Sequence, residues 1–116
     1  MNAITQPTSD QLARAIDEAE RLFVEAAQAK IKAESMDHRR KRVRATLFIK
    51  YRGEGQPAGV SEQMAEADPV YELAVNDYVS AAMEAETLKA QCDAKRMKFE
   101  AWRTGNATAR AQMNLR

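Results

Sequence analysis

Residues 71–102 read YELAVNDYVSAAMEAETLKAQCDAKRMKFEAW. Within them Tyr71, Ala74, Tyr78, Ala81, Ala85, Leu88, Cys92, Lys95, Phe99 and Trp102 recur at alternating steps of three and four. All but Lys95 are apolar or aromatic. A period of 3.5 residues keeps one stripe of a helix against a partner helix without drift. The stretch predicts a long helix with a continuous seam, and an all-α fold built around it.

The partner stands upstream. Thr8 to Gln11 (TSDQ) is a capping-box pattern, and Asp10 suits the positive end of a helix. From there Leu12, Ile16, Ala19, Phe23, Ala26, Lys30 and Ala33 continue the same steps. Met36, Arg40, Val43, Leu47 and Tyr51 follow after a slip of one residue, which resembles a stammer. No Gly or Pro interrupts the chain between Ala13 and Arg52, or between Val70 and Thr104. Three of the four glycines and one proline fall in GEGQPAG (53–59), the one clear loop. Asp68-Pro69 reads as N-cap and N1 of the second long helix.

The expected organisation is a frayed segment over 1–8 and a single domain over 9–116. Its first helix covers about 9–52, a loop 53–60 and a short turn capped by Ser61 61–67. A second helix covers about 69–104. Gly105-Asn106 then either recaps a short piece over 106–114 or is crossed by the helix at a cost of about 1 kcal/mol. Two long helices with a short connection fold back antiparallel, as a hairpin or coiled coil. The seams are rich in alanine, which brings backbones close but buries little area per layer. A lone hairpin of this kind is marginal, so further burial through homo-oligomerisation is expected.

The net charge of +1 hides a block pattern. Residues 1–37 carry −3, residues 38–53 carry +7, residues 54–88 carry −8 and residues 89–116 carry +5. Folding the hairpin with Arg52 near Pro69 places residue 38 near 83 and residue 34 near 87. The basic block then lies beside Glu72, Asp77, Glu84 and Glu86. The C-terminal basic block lies beside Glu34, Glu25, Glu20 and Asp17. Such pairing favours the antiparallel arrangement. It also supplies one account of HRRKRVR (38–44).

The other account is polyanion binding. A helix turns every 3.6 residues, so acids on one neighbouring helix cannot meet Arg39, Arg40, Lys41, Arg42 and Arg44 together. Those left over project into solvent, where phosphate is a natural partner. Lys50 and Arg52 extend the set. Tyr51 either stacks on a base or packs near the loop. Lys95 either packs its stem with its head in water or pairs with Glu25 or Glu34.

Catalytic and metal chemistry are not expected. The single histidine, His38, reads as a solvated side chain, and the single cysteine, Cys92, as a packed thiol. Together they supply no zinc-ligand spacing. GEGQPAG lacks the Gly-Lys-Ser/Thr of a phosphate-binding loop. Glu18/Glu20 and Glu84/Glu86 diverge on a helix and do not share a proton. No cofactor is expected. No segment has the ~20 apolar residues of a membrane span, and MNAITQPTSD has neither the basic nor the apolar region of a signal peptide.

The order of parts resembles a known family. RRKRVRATLFIKY (39–51) is a basic helical segment, followed by a glycine turn, GEG (53–55), and an acidic loop. A second long helix ends in KRMKFEAWR (95–103). This layout is similar to that of phage recombination mediators of the UvsY type, small helical ring-forming proteins. The resemblance implies single-stranded DNA as ligand, contacted by the basic residues before the turn, Arg42 and Arg44 among them. It also implies assembly through the C-terminal helix, and a recombinase and a single-strand-binding protein as partners. The location would be the cytoplasm of a bacterial host. The competing expectation is a coiled-coil interaction module: an adaptor, a scaffold or a phage-encoded inhibitor of a host factor.

Overall fold

The computed structural model describes residues 6–115. Residues 1–5 of the segment expected to fray lie outside the described residues. The described residues form an all-α helical hairpin of α1 (Ser9–Gly53), α2 (Ala58–Ala67) and α3 (Pro69–Asn114). They cluster into two compact units. One, the terminal unit, joins the chain up to Ala26 with the chain from Thr87; the other, the turn unit, is Ala27–Glu86. No helix among the described residues is long and apolar enough to cross a membrane.

Each helix end has a local cause. The Thr8 amide donates to Gln11 Oε1 at 2.9 Å and the Gln11 amide to Thr8 Oγ1 at 3.2 Å, a closed capping box. Downstream, α1 stops in a Schellman motif. The Gly55 amide bonds to the Arg52 carbonyl at 3.0 Å and the Gln56 amide to the Tyr51 carbonyl at 3.2 Å. Gly55 carries the positive φ of 92° that this motif requires, which explains a glycine at this position.

The loop closes earlier than expected. α2 begins at Ala58 behind Pro57, and Ser61 is not its cap. Ser61 is instead fully buried, with its hydroxyl donating to the Gln56 carbonyl at 3.3 Å. Ser61 and Ala65, one turn apart, form the buried face of this ten-residue helix. Asp68 then breaks the chain direction with extended backbone (φ −69°, ψ 133°), the conformation a following proline imposes. Its Oδ1 accepts the Val70 amide at 2.8 Å, and its carbonyl accepts the Glu72 amide at 3.1 Å to start α3.

On α3 all ten seam positions are buried or half-buried, with Ala74 and Ala81 4% exposed and Cys92 3%. On α1 the slip of register does not occur. The inward positions are Ala15, Ala19, Leu22, Ala26, Ala29, Ala33, Met36, Arg40, Val43 and Leu47, in unbroken steps of four and three. Leu12, Ile16 and Lys30 are exposed. Following bulky side chains therefore mis-set the phase by one position. It is Ala15 and Ala29 that face inward, because small side chains let the two backbones approach.

Within the terminal unit α1 and α3 run antiparallel. The Cys92 thiol lies 3.8 Å from the Leu22 carbonyl, and the Arg96 guanidinium stands 4.9 Å from the Phe23 ring centroid. Lys95 is half-buried, with its ammonium 3.9 Å from Glu18, neither of the acids expected for it. α3 runs through Gly105 without the stop read there. The Gln6 side-chain amide lies against Gly105, and a Cβ there would require that flexible side chain to shift.

In the turn unit the pairing register also differs from expectation. Arg39 meets Asp77 at 3.7 Å, where the tight-loop register would set it opposite residue 82. The cause is α2. It lies along the last turns of α1, with Glu66 on Arg44, so α3 starts farther back along α1. Among the acids assigned to the basic block, Glu72, Glu84 and Glu86 make no ion pair within the described residues.

Candidate nucleic-acid interface on the outer face of the first helix

The seven cations of residues 39–52 are sorted by helical phase. Arg40 sits on the seam between Met36 and Val43, so its guanidinium is drawn between the helices. It donates to Asp37 Oδ1 at 2.6 Å and to the Tyr71 hydroxyl at 3.3 Å, and lies 5.3 Å from the Tyr78 ring centroid. The Asp37 bond, then that to Tyr71, holds the Arg40 guanidinium above its ordinary pKa. Reciprocally, Arg40 and then Lys41 hold the Asp37 carboxyl below the usual carboxylate range. Lys41 reaches Asp37 at 3.1 Å.

Arg44 points toward α2, donating from Nε and Nη2 to Glu66 Oε1 at 3.1 and 2.8 Å. Arg39 is the looser member, half-exposed and 3.7 Å from Asp77. Acids of the turn unit therefore engage Arg39, Arg40, Lys41 and Arg44.

Arg42, Lys50 and Arg52 form no ion pair within the described residues. Arg52 donates to the Gln56 carbonyl at 3.0 Å, and the Lys50 ammonium lies 5.3 Å from the Tyr51 ring centroid. Arg42 has no partner at all among the described residues. His38, Arg42, Ala45, Ile49 and Arg52 follow steps of four, three, four and three, and all five are exposed. They form a second stripe on α1, opposite the seam. It contains no acid, and Ile49 stands on it 70% exposed. Lys41 borders it, whereas Arg39 and Lys50 are exposed about 100–120° around the helix from it, nearer the seam. Fourteen residues of helix beyond the first, at ~1.5 Å each, make the stripe about 21 Å long.

Tyr51 packs at the loop. Its hydroxyl donates to Asp68 Oδ2 at 2.5 Å, so Asp68 accepts the Tyr51 hydroxyl with one oxygen and caps α3 with the other. The Tyr51 bond first, then the Val70 amide, holds the Asp68 carboxyl low, and Asp68 in turn pushes the Tyr51 phenol up.

Two features escaped the sequence reading. One is the outer stripe itself, which the 4-3 spacing from His38 to Arg52 contains. The other is the acceptor role of Glu66, which depended on where α2 lies. Comparison with protein-family models, with curated proteins and with solved structures finds no match to this chain. Among the described residues no group of three or more His, Cys, Asp or Glu could hold a metal ion.

Proposed function

We propose that this is a non-enzymatic protein that binds single-stranded nucleic acid through the outer face of α1. The observation that carries this reading is the acid-free exposed stripe with Arg42 and Arg52 on it; these two, and Lys50 elsewhere on α1, have no ion-pair partner among the described residues. Surface cations left without acids are disposed to meet phosphate. The layout likeness to UvsY-type mediators supports DNA as the nucleic acid. It also supports a role in phage recombination as a homo-oligomer, with a recombinase and a single-strand-binding protein as partners.

The test is binding to a single-stranded oligonucleotide across a salt series. Two to three contacts per subunit, from Arg42, Arg52 and Lys50, give a slope of log K against log salt of about −1.4 to −2. Absence of binding at low salt ends this reading. A coiled-coil interaction module would then take its place, supported by the four cations that the hairpin's own acids already engage.

A further inference from the structure

We infer that the stripe takes a flexible chain of phosphates by charge alone, indifferent to whether that chain carries bases. This rests on the binding reading above and specifies what is bound. The aromatic residues of the turn unit are Phe48, Tyr51, Tyr71 and Tyr78, all half-buried. Tyr51 is tied to Asp68 with Lys50 over its ring, Tyr71 accepts from Arg40, and Tyr78 lies beneath the same guanidinium. None of these three is free to stack on a base, and Phe48 is half-buried one turn from Arg44 and Tyr51, whose partners Glu66 and Asp68 stand on the α2 side of the helix.

The donors on the stripe that could reach a base edge, Arg42 and Arg52, are the same groups that would be taken up by phosphate, and no amide or carboxylate side chain stands beside them on it. The stripe's members are His38, Arg42, Ala45, Ile49 and Arg52, with no Asn, Gln, Asp or Glu. Base-tolerant single-strand binders elsewhere combine a cationic track with aromatic platforms. Here the track stands without the platform. The ligand class is a flexible polyphosphate backbone: a nucleic-acid strand of any sequence, an abasic strand, or inorganic polyphosphate. A stiff duplex holds its phosphates on a fixed helix, whereas a flexible chain adjusts their spacing to Arg42, Lys50 and Arg52.

The experiment uses the full chain and three fluorescent or competing probes of equal phosphate number. They are a thymidine oligonucleotide, an abasic deoxyribose-phosphate oligomer and inorganic polyphosphate. The expected result is that the thymidine and abasic strands bind within about 3-fold of each other, with salt slopes equal to within about one contact. Polyphosphate should compete with both. The double variant Arg42→Gln with Arg52→Gln should flatten the slope on the oligonucleotide by about 1.4, and should weaken all three probes alike. Circular dichroism and melting of that variant should match the wild type.

If the thymidine strand binds and the abasic strand is weaker by about 30-fold or more, bases are being stacked or read. The phosphate-only inference then falls while the nucleic-acid reading stands. Binding of polyphosphate without either strand keeps a phosphate site and ends the nucleic-acid reading. Binding of none of the three ends both.

Discussion

Arg40 and Arg42 belong to one basic run, two residues apart, and do opposite things. Two residues turn a helix by about 200°, so one guanidinium enters the seam and the other leaves the molecule. Arg40 is held by a carboxylate, a phenol hydroxyl and an aromatic face. Arg42 has no partner among the described residues. The difference teaches that a charge run on a helix cannot be assigned as a block. Phase divides it into a structural half, whose removal costs stability, and a solvent-facing half, whose removal should cost only binding.

The largest expected effect breaks the structural half. Arg40→Ala removes hydrogen bonds to Asp37 and Tyr71 and the contact with Tyr78, and leaves Asp37 with Lys41 alone. Hydrogen bonds to a charged group together with a partly covered cation–π contact are worth about 2 kcal/mol. In a chain of this size that lowers the Tm by roughly 6–10 °C. Thermal melting checks the loss, and the salt slope for single strands should stay at the wild-type value. A flattened slope with an unchanged Tm would reverse the roles of the two faces.

Helical phase also separates what was legible from what was not. The α3 seam was readable because its slots are spaced without interruption and no competing stripe carries as much apolar area. The capping box at Thr8 and the Asp68-Pro69 start were readable because both are local chemistry. The α1 seam was misread for a physical reason. In an alanine-packed interface the inward side chain is the small one, so Ile16 and Lys30 drew the eye from Ala15 and Ala29. The ion-pair register was out of reach because it depends on where α2 lies, and Ser61 reads as a cap although it is a buried packing residue. Of the candidate site, the residue types were evident in the sequence. Which of them stay unpaired was not, since that depends on Asp37, Glu66 and Asp77 taking their places.

Arg44 sharpens the comparison at smaller scale, because it is an inner-half residue at an exposed site. Its pair with Glu66 is solvent-accessible, with side chains 38% and 54% exposed, so water competes for both partners. Arg44→Ala should leave the Tm within about 2 °C of the wild type. Its effect is local: α2 loses its ion pair to α1 while Ser61 and Ala65 stay packed, and hydrogen exchange at the amides of Ser61 to Ala65 should accelerate. The salt slope should again be unchanged. If the slope flattens by about 0.7, Arg44 is a phosphate contact and the Glu66 pair opens on binding.

The smallest expected effect lies at the Tyr51–Asp68 link, where Lys50 of the outer group borders the structural half. The Asp68 carboxyl is held below its ordinary value of 3.8, chiefly by the Tyr51 hydroxyl and then by the Val70 amide, with Lys50 adding to the effect. A depressed carboxyl contributes stability that is full above 3.8 and is lost as pH falls through the lower folded value. The Tyr51 phenol is held above its ordinary value of 10.0 by that bond, with Glu54 acting in the same direction. A raised phenol contributes stability that is full below 10.0 and is lost as pH climbs through the higher folded value. Both groups are solvent-accessible, so each limb is shallow. Tyr51→Phe should remove the alkaline limb and weaken the acid one. It should not abolish the acid limb, because Val70 still bonds Asp68 and because Asp37 is independently held low by Arg40 and Lys41. Melting temperature followed from about pH 3 to about pH 11 in both proteins tests this. An alkaline limb that survives undiminished in Tyr51→Phe would show that the bond between the Tyr51 phenol and Asp68 is not its source.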